Sequence, residues 1–225
     1  MNSLRTPAIV LRRTNYGEAD RILQLLTPTG KRSVMAKGVR REKSRLAGGI
    51  ELFAICDVVI GEGKGDLGIL TSARLVYFYR HIMEDYDRMQ FAYESIKLIT
   101  KVSEMIDEPE WFDVLGEVYK GLDNFSVPLQ LVQTWFYLRY AALTGYELNL
   151  RRDDAGNPLQ SDKTYAYDAV ERGLRLADQG GDVTADHIKY LRVINTKNIV
   201  TILQIGGAEH LLPDIWLIAR QQAAI

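Results

Sequence analysis

Two hydrophobic periodicities divide the chain at about residue 74, and this change constrains the fold more than any other feature. Before it, short segments rich in β-branched and aliphatic residues alternate with turn residues, and no helical repeat separates most of them. After it, apolar residues recur at steps of three and four, as a helix that buries one face requires. The pattern predicts an α+β chain, in which a small five-stranded barrel precedes a helical bundle. The predicted strands are Pro7–Arg13, Arg21–Thr27, Lys31–Lys37, Leu52–Ile60 and Leu67–Ser72.

Prolines and a glycine mark the ends of the predicted helices. Pro109 is placed to open a second helix and Pro128 a third, because proline is favoured in the first turn, where its missing N–H is not needed. Gly145 is placed to close the third helix. The first helix is predicted from the positions on the one face that it would bury, which are Phe91, Ser95, Leu98, Val102 and Met105.

The segment after these helices is irregular. Residues 146–163 are polar and rich in turn residues, which predicts a loop that leaves the bundle. Residues 164–177 are ambiguous, because their tyrosines alternate as in a strand, while Asp168 with Glu171 has the spacing of a helix capping box. We favour a hairpin there. Thr184 is a good N-cap for a following helix.

Positive charge is concentrated at the start of the chain. Residues 1–50 contain 11 Lys and Arg against 3 Asp and Glu, whereas residues 51–225 contain 17 against 26. The run 37–45 holds five cations in nine residues, and it lies between two predicted strands rather than in a tail. Such a cluster is often only solvated surface, but this placement favours contact with a polyanion, above all nucleic acid. The predicted contact residues are Arg12, Arg13, Lys31, Arg32, Lys37, Arg40, Arg41, Lys43 and Arg45.

Enzymatic and metal chemistry have little support in the sequence. Cys56 is the only cysteine, which excludes an internal disulfide and a four-thiolate zinc site. None of the three histidines stands at metal-ligand spacing from another. Glu18 and Asp20 would suit a metal-dependent nuclease, but no third ligand is evident, and carboxylates between two strands more often fix a turn. We therefore expect no enzyme activity and no cofactor.

Three further segments resemble functional motifs only superficially. The glycine-rich run 61–68 lies between two predicted strands rather than before a helix, so we interpret it as a hairpin tip and not as a phosphate-binding loop. The apolar segment 199–219 is interrupted by polar residues, which favours a buried helix pair over a membrane span. The apolar stretch near the N-terminus is broken by Arg12 and Arg13, too early for a signal-peptide core. We expect a cytoplasmic protein without membrane contact.

Several short motifs occur in a fixed order within the first 75 residues. They are Ala8–Leu11, Tyr16–Asp20, Leu26–Pro28 with Gly30, Ala36–Arg41 followed by Lys43–Arg45, and Gly65–Leu67 with Thr71. In order and spacing this set resembles the RecO family of bacterial recombination mediators. The helical half resembles that family only in size and general pattern.

The resemblance implies an N-terminal OB-fold domain at residues 1–75 and a C-terminal helical domain at residues 76–225. It also implies a nucleoid-associated protein that binds single- and double-stranded DNA and anneals complementary strands. With RecR, such a protein loads RecA onto DNA coated by single-stranded-DNA-binding protein, whose acidic C-terminal tail docks on the helical domain. An RNA-binding OB-fold module is the alternative, because the same cations would serve it equally well.

Some members of the family hold zinc through four cysteines in the excursion that corresponds to residues 146–180. This chain has no cysteine there. We therefore expect apolar packing to hold the segment instead, through Tyr165, Tyr167, Leu174 and Leu176.

Overall fold

The chain forms two compact units, Met1–Asp123 and Asn124–Ile225. The structure is a computed structural model that describes residues 3–104, 108–178 and 180–224, without the side chain of Lys64. The predicted apolar position Met105 lies outside these residues. The first unit extends well past the predicted domain boundary at residue 75.

The first unit contains a closed barrel of five strands. The strands are β1 (Ser3–Tyr16), β2 (Asp20–Thr27), β3 (Gly30–Ala36), β4 (Ala54–Lys64) and β5 (Leu67–Phe78). Their order around the barrel is β1-β2-β3-β5-β4, and every neighbouring pair is antiparallel except β3 with β5. This is the topology of an OB fold, and it confirms the predicted barrel.

Alternation along the strands fills the barrel with aliphatic side chains. In β2, Leu23 and Leu25 point inward and are fully buried, while Gln24 between them points outward. The ladder between β1 and β2 shifts register between Val10 and Arg12. This bulge buries Leu11 and leaves Arg12 exposed on the outer face.

The lone cysteine belongs to this core. Cys56 is fully buried among the inward-facing residues, and desolvation raises the pKa of its thiol to about 11. The thiol therefore stays protonated near neutral pH, and it contributes packing rather than a nucleophile.

Two helices complete the first unit, α1 (Tyr86–Val102) and α2 (Glu110–Asp123). An aromatic cluster joins them to the barrel: the ring of Phe53 lies 5.0 Å from that of Tyr93 on α1 and 5.8 Å from that of Tyr119 on α2. These edge-to-face contacts stabilise the unit beyond the area that they bury.

The second unit is mainly helical. It contains α3 (Leu129–Leu143), the hairpin of β6 (Tyr165–Asp168) and β7 (Gly173–Leu176), and then α4 (Ala185–Thr196), α5 (Ile199–Leu203) and α6 (Leu212–Gln222). The hairpin confirms the interpretation favoured for residues 164–177. The Asp168 carboxylate accepts N–H bonds from Val170 and Glu171, so it caps the hairpin turn rather than a helix.

The excursion is held mainly by buried side chains and hydrogen bonds. Tyr165 and Leu174 are buried, as predicted, but Leu176 is 44% exposed and its predicted packing role is wrong. The Tyr167 hydroxyl donates a 2.8 Å hydrogen bond to the side-chain carbonyl of Gln222 on α6. The Arg172 guanidinium also lies 3.9 Å from the centre of the Tyr146 ring.

Within residues 3–104, 108–178 and 180–224, no group of three or more His, Cys, Asp and Glu is placed to hold a metal ion. No helix in these ranges is both long enough and apolar enough to cross a membrane.

Close packing at Gly49 provides a test of the barrel. An alanine Cβ there would overlap the carbonyl group of Ala73 on β5, whereas one at Gly48 would meet nothing within 4 Å. Because the backbone must shift, we expect Gly49→Ala to lower the free energy of unfolding by about 1–3 kcal/mol. Gly48→Ala is the matched control and should stay within about 0.5 kcal/mol of the parent. Urea unfolding followed by circular dichroism measures both, and equal stability of the two variants would contradict the packing.

Candidate nucleic-acid interface

The basic loop, defined here as residues 37–45, links β3 to the short helix Ala47–Gly49. Its main chain is tied to the turn between β1 and β2. The Gly38 N–H donates a 2.6 Å hydrogen bond to Oδ1 of Asp20, and the Arg40 N–H donates a 2.8 Å bond to the Ala19 carbonyl. Gly38 has φ +63°, a conformation that glycine adopts without strain. The loop is therefore anchored to the barrel at its start.

One apolar residue provides a second anchor for the basic loop. Val39 is only 2% exposed and packs with the barrel core. Two turn hydrogen bonds follow it, from the Arg41 N–H to the Gly38 carbonyl at 3.1 Å and from the Ser44 N–H to the Arg41 carbonyl at 3.0 Å. With Val39 buried, the loop presents its charged side chains to solvent. The exposed cations are Lys37, Arg40, Arg41, Lys43 and Arg45.

These five cations are available for a ligand. Among the described residues none of them forms an ion pair, and the only acid within the basic loop is Glu42. The Arg40 guanidinium donates a 3.3 Å bond to the Gly17 carbonyl, an exposed contact that leaves its charge uncompensated. Unpaired guanidinium groups match phosphate oxygens in both charge and donor geometry.

The other four predicted cations do not gather beside the basic loop. Arg13 donates to a Glu51 carboxylate oxygen at 3.1 Å, and Lys31 lies 3.8 Å from a Glu104 carboxylate oxygen. Arg32 is exposed near the opposite end of β3, five residues from Lys37 and about 17 Å along an extended strand. Arg12 is exposed on the outer face of β1. Contact of all nine residues with nucleic acid stays a prediction.

Sequence reasoning missed two cations on α1. Lys97 and Lys101 line a groove of about 420 Å³ together with Arg12, Tyr93 and neighbouring residues. Their spacing of four residues is visible in the sequence and predicts a shared helix face. Nothing in the sequence indicates that this face lies beside β1.

The structural role that we favoured for Glu18 and Asp20 holds for Asp20. That carboxylate holds the basic loop through Gly38, while Glu18 is exposed and has no hydrogen bond among the described contacts. The glycine-rich run 61–68 forms the hairpin between β4 and β5, as predicted. Because a strand rather than a helix follows it, the glycine-rich run is not a phosphate-binding loop.

Two of the three histidines, one in each unit, have local partners. In the first unit, Nδ1 of His81 lies 3.2 Å from a carboxylate oxygen of Asp123. In the second, Nδ1 of His187 lies 2.8 Å from the Thr184 hydroxyl and completes a capping box at the start of α4. Its Nε2 lies 3.4 Å from Asp214. We interpret this arrangement as a helix cap, and it confirms Thr184 as the N-cap.

Comparison with known proteins supports the family that the order of the motifs indicated. The family described as Recombination protein O N terminal matches residues 1–79. The DNA repair protein RecO of Dehalococcoides mccartyi strain CBDB1 is 30% identical over 228 residues, covering 97% of this chain and 88% of that protein. The RecO protein of Heliobacterium modesticaldum is 36% identical over 163 residues, which cover 71% of this chain and 58% of that protein. The RecO protein of Roseiflexus sp. strain RS-1 is 30% identical over 178 residues, which cover 79% of this chain and 62% of that protein.

The anchoring of the basic loop by Asp20 is testable by proteolysis. Asp20→Ala removes the acceptor of the Gly38 N–H, so the loop should open more often. We expect trypsin to cleave after Arg40 or Arg41 about tenfold faster, as loss of a hydrogen bond to a charged group predicts. Glu18→Ala, an exposed carboxylate in the same turn, is the matched control and should leave the cleavage rate unchanged. Equal rates for both variants would show that Asp20 does not hold the loop.

Proposed function

Because the chain belongs to the RecO family of DNA repair proteins, we propose that it acts as a recombination mediator. In this role it binds single- and double-stranded DNA and anneals complementary strands. Together with RecR it helps to load RecA onto DNA coated by single-stranded-DNA-binding protein, whose acidic tail meets the helical part of the chain. The proposal rests on the basic loop. Its five cations are exposed, and its main chain is hydrogen-bonded to a closed barrel.

Anchoring makes the basic loop suited to a phosphate backbone. A loop that is already ordered loses little conformational entropy when it binds, so more of the interaction energy appears as affinity. Lysine and arginine contacts to phosphates set position and affinity without reading bases. The proposed binding is therefore nearly independent of sequence, as a mediator that acts anywhere on a chromosome requires.

Annealing follows from the same charges. Two complementary strands repel each other through their phosphates, and a cationic surface lowers this repulsion when it binds both. The base pairing that follows supplies the driving force. The proposed activity therefore breaks no covalent bond, requires no nucleotide hydrolysis and uses no cofactor. We place the protein in the cytoplasm, associated with the nucleoid.

Removing the charges of the basic loop tests the binding proposal. With about five phosphates of a single strand neutralised, log K should fall with log[salt] at a slope near −3.5 on an oligonucleotide of about 6 nucleotides. The combined change Arg40→Gln, Arg41→Gln, Lys43→Gln and Arg45→Gln should weaken binding for every sequence. It should flatten the slope to about −0.7. Fluorescence anisotropy across a salt series measures both quantities.

A control with the same change in net charge separates this effect from general electrostatics. Arg151, Lys163, Lys189 and Lys197 are exposed in the second unit, and their combined change to glutamine should leave the affinity for this short strand nearly unchanged. Equal loss in both quadruple variants would contradict a role for the basic loop. Titration with RNA of matched sequence is run in parallel, and tighter binding to RNA would favour the OB-fold module for RNA.

Strand annealing is a separate expectation. The protein should accelerate pairing of complementary strands covered by single-stranded-DNA-binding protein, with no ATP present. Fluorescence quenching between dyes on the two strands measures the rate, and the basic-loop variant should anneal at close to the uncatalysed rate. An absolute requirement for ATP, or full annealing by the variant, would contradict the proposed mechanism.

A further inference from the structure

The outer face of β1 and the helix α1 form a cationic groove, and Arg12 is the one predicted contact residue among its described lining residues. We propose that this groove continues the path of single-stranded DNA that begins at the basic loop, with Tyr93 as a stacking platform for a base. The inference rests on the proposed function, since it names the residues that carry the strand away from the loop.

Residues from two distant parts of the sequence form the groove. Tyr93, Lys97 and Lys101 follow one another at steps of four along α1, so they share one face of the helix. Arg12 faces them from β1, where the bulge at Leu11 turns it outward. The groove is about 420 Å³ in volume and open to solvent along its length.

The charge of the groove favours an anionic occupant. Its single acid, Glu104, lies 3.8 Å from the Lys31 ammonium, which compensates the carboxylate. Arg12, Lys97 and Lys101 form no ion pair within the described part of the chain. These three uncompensated cations lie beside the same barrel that carries the basic loop. They therefore extend its positive surface and do not form a separate one.

Tyr93 distinguishes a nucleic-acid strand from a simple anion. Its ring makes a T-shaped contact with the buried Phe53, with ring centres 5.0 Å apart and planes inclined at 70°. The side chain is nevertheless 47% exposed, so the ring is fixed on one side and open on the other. A fixed and open aromatic ring among cations is the arrangement on which single-stranded nucleic acids stack their bases. The bases of a duplex are already stacked, so the groove suits a single strand.

The groove is continuous with the basic loop along β1. Arg12, Thr14 and Tyr16 all point outward and are all exposed. Tyr16, at 55% exposure, precedes Gly17, whose carbonyl accepts the bond from the Arg40 guanidinium. Residues 12 to 16 span about 13 Å of strand. A strand leaving the loop would therefore pass Tyr16 and reach Arg12, Lys97 and Lys101 without leaving this face of the barrel.

The length dependence of DNA binding tests the groove separately from the basic loop. The double variant Lys97→Gln with Lys101→Gln should bind an oligothymidine of about 6 nucleotides as the parent does. It should bind one of about 16 nucleotides about tenfold more weakly, with a salt slope flatter by about 1.4, because two phosphate contacts are lost. Lys120→Gln with Lys189→Gln, on other helices, is the matched control and should behave as the parent at both lengths.

Changes at Tyr93 test stacking. Tyr93→Phe keeps the ring and should retain the affinity for the longer strand, whereas Tyr93→Leu should lose about tenfold. Unchanged affinity of Tyr93→Leu for the short strand shows that the barrel remains folded. In the parent protein, photocrosslinking of the longer strand with 5-iododeoxyuridine should attach it to Tyr93.

The outcomes separate the two proposals. Groove variants that match the parent at every length, while the basic-loop variant binds weakly, would overturn this inference and leave the proposed function intact. A parent protein that binds no DNA would overturn both. Groove variants that bind DNA normally but lose an acidic peptide would also overturn it, because the groove would then be a peptide site.

Discussion

Closure of the barrel is the constraint on which the first unit depends. Only three residue pairs join β3 to β5, from Ser33 with Leu67 to Met35 with Ile69, and this short parallel ladder closes the sheet on itself. Closure removes the free strand edges and encloses an aliphatic core. Charged side chains cannot enter such a core without a large cost. The many cations of the first 50 residues must therefore lie on the outer face or at the ends, where a polyanion can reach them.

The structure then determines which of these cations remain free. Arg13 and Lys31 are engaged by Glu51 and Glu104, so their charges are largely compensated. The charges of the basic loop are not compensated. Val39 and the Asp20 carboxylate anchor the loop to the barrel, so its charged side chains remain exposed. Composition alone could not distinguish this cluster from solvated surface, whereas the structure shows that its main chain is anchored.

The excursion of the second unit, which contains no cysteine, is held by side-chain packing and hydrogen bonds. A metal site supplies several strong bonds at one point, whereas here the contacts are spread over Tyr165, Tyr167 and Arg172. Arg192 adds two hydrogen bonds to the Leu150 carbonyl, at 2.6 and 3.0 Å. Each contact is modest, yet together they fix the excursion on several sides.

Local information in the sequence determined the strand and helix periodicities, the hairpin turns, the Thr184 cap and the family motifs, because each depends on residues close together in the chain. The order of strands around the barrel was available only through the family resemblance. Tertiary structure alone decided which cations are paired and that α1 lies beside β1. Lys31 pairs with Glu104, and Arg12 lines one groove with Lys97, yet no periodicity along a single chain encodes neighbours so far apart in the sequence. Leu176 illustrates the same limit, since alternation in a strand identifies two faces but not which neighbour will cover them.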